Sequence, residues 1–237
     1  MELSPGLHRI GNDIVALYLV VTDDGITLID AGLPGHWREF TREIATLGRT
    51  LADVRGVVLT HGDSDHIGFA ERLRRDHGVP VFVHQADADR ATGTKPPATP
   101  PDPRRLGPVV QFIGYALRRG GARTRYLTAV LPVRDGDILD LPGAPRVIAL
   151  PGHSPGSIAV HVPAVDALFV GDALTTRHVL TGTTGPQPAP FTDDREQALR
   201  SLEGLDGIEA AWVLPGHGAP WTGGVPALRR EVARAAA

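Results

Sequence analysis

Five apolar runs in this chain finish in the same way, on an aspartate or histidine set beside a glycine. Ile26 to Ile29 leads to Asp30-Ala31-Gly32, and Val57-Val58-Leu59 leads to Thr60-His61-Gly62. Arg146 to Leu150 leads to Pro151-Gly152-His153, Leu168-Phe169-Val170 to Gly171-Asp172, and Val213-Leu214 to Pro215-Gly216-His217. Short apolar runs bounded by glycine or proline read as strands. One such ending would mean little; five in one chain are hard to attribute to chance.

The richest ending is Thr60-His61-Gly62-Asp63-Ser64-Asp65-His66-Ile67-Gly68. His61, Asp63, Asp65 and His66 place four side chains able to bind a metal within six residues. Imidazole nitrogen and carboxylate oxygen suit zinc, manganese or iron, and a chain without cysteine has no thiolate to offer. The plain alternative is a polar turn with Asp or Ser capping the helix that follows.

Taken together these motifs resemble the metallo-β-lactamase-fold hydrolase superfamily, whose signature is H-x-H-x-D-H followed by a single His, a single Asp and a single His. The resemblance runs from Leu7 to Trp221. It implies a mixed α/β (α+β) fold, a four-layer sandwich with helices outside, two mixed sheets inside and metals at one edge. It also implies two divalent ions, zinc first, with manganese or iron admissible. His61, His153 and Asp172 match ligands of the first metal position; Asp65, His66, Asp172 and His217 match the second, with Asp172 bridging. Asp30 matches a supporting acid. Asp63 departs from the pattern, which has histidine there, so one-metal occupancy stands as a second expectation.

Composition bounds the rest. The 237 residues are enough for one sizeable core, and no composition break divides residues 1–237 into two domains. A net charge of −3 gives no nucleic-acid footprint. Neither a signal peptide nor a membrane-spanning run is visible, so the expected location is cytoplasmic, with no nucleic-acid or membrane partner. A homodimer is left open.

Along the chain, Ile14–Val21 and Ile26–Ile29 form a hairpin signal around Asp23-Asp24-Gly25, and Trp37, Phe40, Ile44 and Leu47 recur at helical spacing. Strands alternating with helices continue through residues 54–83 and again from Arg146. Between them lies a Pro/Arg-rich, lid-like insertion at about 92–126, opening with a proline run from Lys95 to Pro103 that excludes helix and central strand. Lys95, Arg104, Arg105, Arg118, Arg119, Arg123 and Arg125 face one acid there, Asp102. They form either a solvated basic face or a lid that attracts an anionic substrate. His84, after a strand, and Arg177 and His178, just past Asp172, are weaker candidates for substrate contact.

Two divalent ions ~3.5–4 Å apart activate a shared water and polarise an electrophile. Asp65, beside that hydroxide, would orient it and take the proton. The expected activity is hydrolysis of a small ester, thioester, lactone, amide or phosphodiester. The alternatives are a mononuclear iron oxygenase of the persulfide-dioxygenase kind, a reading the altered first position allows, and a metal-binding protein without catalysis.

Overall fold

The computed structural model describes residues 1–97 and 102–236; the middle of the proline-rich run, residues 98–101, lies outside the described residues. Strands β1 (Glu2–Ser4), β2 (Leu7–Gly11), β3 (Ala16–Thr22), β4 (Gly25–Ile29), β5 (Val54–Val58), β6 (Val81–His84) and β7 (Leu131–Val133) form one sheet in chain order. Its first four strands pair antiparallel, and β4 to β7 pair in parallel. The second sheet runs β13 (Trp212–Pro215), β10 (Ala167–Gly171), β9 (Ile158–Val162), β8 (Arg146–Ala149), with β13 and β10 parallel. A ribbon of β11 (Thr175–Arg177) and β12 (Thr184–Gln187) stands apart.

Side chains alternate faces along a strand, so each sheet contributes to two cores. Leu17 and Leu19 of β3 pack with Phe40 and Ile44 of α1 (Trp37–Thr46) and Leu73 of α2 (Ala70–His77). Their neighbours Ala16, Tyr18 and Val20 point the other way, onto Val160, Val162 and Phe169 of the second sheet. Ile148, Leu168 and Val213 then face Leu228 and Val232 of α6 (Val225–Ala236) and Leu202, which follows α5 (Arg195–Ser201). Helix, sheet, sheet, helix: the four layers follow from strands that are apolar on both faces.

The insertion contributes α4 (Leu106–Arg118) after the short α3 (Ala88–Ala91). Val109, Val110, Ile113 and Leu117 of α4 recur at helical spacing in the sequence, yet the side that packs is a different one. Phe112, Tyr115 and Ala116 lie on Ile14, Val15 and Leu33, while Leu106, Val110, Ile113 and Leu117 are exposed. His36, buried under this contact, accepts from Leu33 N–H through Nδ1 and pairs with the Tyr115 hydroxyl at 2.7 Å. Burial, aided by Arg119, lowers its pKa to about 4, so a neutral ring holds α4 in place. Arg119 pairs with Glu39, and Arg104, Arg105, Arg118, Arg123 and Arg125 are exposed.

Candidate metal centre

All five strand endings meet at one edge. Asp30 follows β4, His61 follows β5, His153 follows β8, Asp172 follows β10 and His217 follows β13. Backbone bonds lace the edge together, from Ile158 N–H to Thr60 C=O and from Gly216 N–H to Gly171 C=O. Gly171 has φ +49°, and a Cβ there would sit 2.3 Å from Thr60 Oγ1; one on Gly216 would sit 2.5 Å from Asp172 Oδ1. Glycine at these positions lets the two sheets close on the site.

Three groups of side chains converge: His61 with Asp63 and His153, His61 with His66 and Asp172, and Asp65 with His66 and His217. Asp63 Oδ2 lies 3.6 Å from His61 Nε2 and 3.4 Å from His153 Nε2. Asp65 Oδ2 lies 3.6 Å from His217 Nε2. Asp172 stands between the groups, Oδ1 3.6 Å from His66 Nε2 and Oδ2 3.0 Å from His217 Nε2 and 3.9 Å from His153 Nε2. Atoms bound tetrahedrally at ~2.1 Å to one ion lie ~3.4 Å apart, and these spacings of 3.0 to 3.9 Å fall around that value.

The histidine tautomers follow from donors and acceptors. His66 Nδ1 meets Asp30 Oδ2 at 2.8 Å, an acceptor only. Thr60 Oγ1 spends its proton on Asp30 Oδ2 at 2.8 Å and so must accept from His61 Nδ1 at 3.1 Å. Thr192 Oγ1 donates to Ala189 C=O and accepts from His153 Nδ1 at 3.3 Å. His217 Nδ1 donates to the Ile14 carbonyl. Each of the four imidazoles therefore carries a proton on the outward Nδ1 and turns Nε2 inward, the arrangement that metal-binding histidines require. Nε2 of His61, His66 and His153 and Oδ1 of Asp172 are buried without a hydrogen-bond partner. Orphaned buried groups cost about 1–3 kcal/mol each, and four at one point fit divalent cations.

Charges in the site are strongly coupled. Burial opposes a proton on His66, yet Asp30 and Asp172 raise its pKa to about 10. His217, pulled down by burial, is pushed up to about 9 by Asp172. Burial, with His66 and His153 beside it, holds His61 well below the usual histidine range. Asp172 stays ionised against burial because His217 and His66 flank it.

Several supporting residues carry no sequence motif. Asp87 accepts from Gly62 N–H and Ser154 Oγ through Oδ2 and from Gly156 N–H through Oδ1, tying the His61 loop to the His153 loop. Arg90 of α3 grips Asp63 with Nε on Oδ1 and Nη2 on Oδ2, the latter at 2.9 Å, and reaches Asp193 with Nη1 at 2.9 Å. Their one cue is a short charged helix just past the end of β6. The site opens into a cavity of about 310 Å³ lined by Asp65, Asp172, His153 and His217 and walled by Leu33, Phe112, Ala116 and Phe191. Among the described residues, Lys95 is the one member of the basic run that lines it.

The three weaker candidates lie off this cavity. His84 Nδ1 accepts from Ala86 N–H at the start of a tight turn. Arg177 is held by Gln111 Oε1 at 2.9 Å, and His178 turns into a separate surface hollow with Arg195 and Thr181. Arg177 ends strand β11, which pairs with β12 and not with either main sheet, and His178 follows it with its N–H on the Thr183 carbonyl.

A four-layer sandwich with an aspartate- and histidine-lined edge defines a class of metal-dependent proteins. The chain belongs to the metallo-beta-lactamase superfamily, which it matches over residues 10–217. The probable metallo-hydrolase YflN of Bacillus subtilis (strain 168) is 32% identical, over 94% of this chain and 87% of its own. The probable metallo-hydrolase YqgX of the same strain is 27% identical over 85% and 83%. Among solved structures, metallo-beta-lactamase family protein TTHA1429 from Thermus thermophilus superposes with a TM-score of 0.70 at 23% identity, covering 98% of this chain and 79% of that one. TTHA1623, solved in a di-iron-bound form, gives 0.65 at 26% identity over 95% and 98%.

Proposed function

We propose that this protein is a hydrolase that acts on a small ester, thioester, lactone, amide or phosphodiester with an apolar substituent, using about two bound divalent ions. The observation that carries the proposal is the union of inward-facing Nε2 atoms with a cavity that is apolar on its far wall. His61, Asp63, His153 and Asp172 would hold one ion, and Asp65, His66, His217 and Asp172 the other. When bound, the ions supply an activated water and an electrophilic contact for the oxygen that gains charge. Zinc suits the imidazole-rich set; the di-iron form of TTHA1623 makes iron a reasonable second choice.

The chain's own groups do the rest. Phe112, Phe191, Leu33 and Ala116 receive the apolar part of the substrate and exclude water around the scissile bond. Asp65, partly exposed on the cavity floor, is placed to orient the nucleophile and take its proton. The oxygenase alternative drew on a first position emptied by the loss of histidine; Asp63 Oδ2, near both His61 and His153, supports two positions instead. The test is a substrate panel run anaerobically: p-nitrophenyl esters of rising chain length, a lactone, a thioester and bis(p-nitrophenyl) phosphate. Turnover that rises with chain length and vanishes in Asp172→Asn supports the proposal. No turnover by fully metal-loaded protein, or oxygen uptake with iron, overturns it.

A further inference from the structure

Asp63 is the one ligand position at which this chain departs from its family's pattern, and it is also the candidate ligand that an arginine holds. Arg90, only 5% exposed, places a planar fork on both oxygens of the Asp63 carboxylate. Its remaining terminal nitrogen is tied to Asp193, whose backbone N–H bonds to His153 C=O. A carboxylate offers about four lone-pair sites, and the fork takes one on each oxygen. One site is left on each oxygen, and Oδ2 is the oxygen that faces His61 and His153, at 3.6 and 3.4 Å.

We infer that Arg90 is a positioning and metal-selecting residue, making Asp63 a one-oxygen ligand that stands in for histidine. Geometry supports this. The fork fixes the carboxylate so that Oδ2 alone faces the two histidines, and a ligand set with one oxygen from Asp63 would suit the low coordination number of zinc. Freed from the fork, Asp63 could chelate through both oxygens, giving the larger, harder oxygen environment that favours manganese. The inference concerns which ion the site holds, and it stands or falls independently of the bond that is cut.

The test is a double-mutant cycle read by metal content. Wild type, Arg90→Met, Asp63→His and Asp63→His/Arg90→Met are stripped, equilibrated with buffered zinc and manganese, and analysed by elemental mass spectrometry. Arg90→Met should lower the zinc-to-manganese ratio by about fivefold or more when Asp63 is present and leave it unchanged in the Asp63→His background. An unchanged ratio in both backgrounds overturns the inference. An equal change in both also does, because Arg90 would then act through Asp193. If Arg90→Met does not fold by circular dichroism, Arg90→Lys carries the same cycle. Lys keeps the cation but cannot form the fork, so a shift confined to the chain with Asp63 is again expected and an equal shift overturns it.

Discussion

Replacing Asp30 by Asn isolates the buried network behind the metal site. The Asp30 carboxylate, 3% exposed, accepts from Thr60 N–H at 2.8 Å, Thr60 Oγ1 at 2.8 Å and His66 Nδ1 at 2.8 Å. It does so from φ +60°, a conformation that aspartate tolerates better than most residues but that costs free energy. Asn keeps the shape and the Oδ1 bond to the Thr60 amide. It puts an NH2 group where Oδ2 faced two donors, so those two bonds to a charged acceptor are lost, at about 1.5–3 kcal/mol each. His66 can then accept at Nδ1 only by moving its proton to Nε2, the atom that faces the site. Metal affinity should fall by about 10- to 100-fold, the range for residues that orient ligands, and the metal-free fold should lose roughly 3–6 kcal/mol. Competitive chelator titration reads the first and urea unfolding the second. Wild-type metal affinity in Asp30→Asn would refute the tautomer argument, whatever happened to stability.

Other outcomes follow from the same geometry. Asp65→Asn should lower turnover by about 10²-fold or more on every accepted substrate, and an unchanged rate would remove Asp65 as the proton acceptor. Phe112→Ala should raise KM by about tenfold for long-chain esters, by loss of apolar burial, while metal content stays constant; equal effects on short and long chains would argue against an acyl wall. Stability of the metal-free protein should depend on pH with a defined sign. His66 and His217, raised to about 10 and about 9 in the folded state from 6.5, stabilise fully below 6.5 and progressively less as pH climbs through those values. His61, lowered by burial, works the other way and costs stability as pH falls below 6.5. Thermal unfolding of chelated protein should therefore weaken from pH 6.5 to pH 10, and metal, which replaces the protons on Nε2, should remove that slope.

Much of the fold and site was legible because chemistry and backbone geometry coincide at the strand endings. Runs such as Leu168-Phe169-Val170-Gly171-Asp172 announce a strand, its end and a candidate ligand in one stretch. Strand β2 was harder to see. Its His8 and Arg9 look like surface residues and are buried by partners far along the chain, Glu43 at 2.9 Å and the Gly218 carbonyl at 2.8 Å. Helix α4 is apolar on nearly every side, so periodicity showed a helix and could not choose its buried face. The run Thr192-Asp193-Asp194 reads as one helix cap. In the structure only Asp194 caps, bonding Gln197 N–H at 2.8 Å, while Thr192 orients His153 and Asp193 holds Arg90. Asp63 is the sharpest case. Its residue type was visible, but Arg90 lies 27 positions away on another element, and no local pattern joins them.

The central claim is that the converging side chains form a site for two ions that share Asp172. Elemental mass spectrometry on untagged protein purified without chelator tests it most directly. The expected result is about two divalent metals per chain, falling to about one or fewer in Asp172→Asn. A single metal in wild type, or a stoichiometry that Asp172→Asn leaves unchanged, would contradict it.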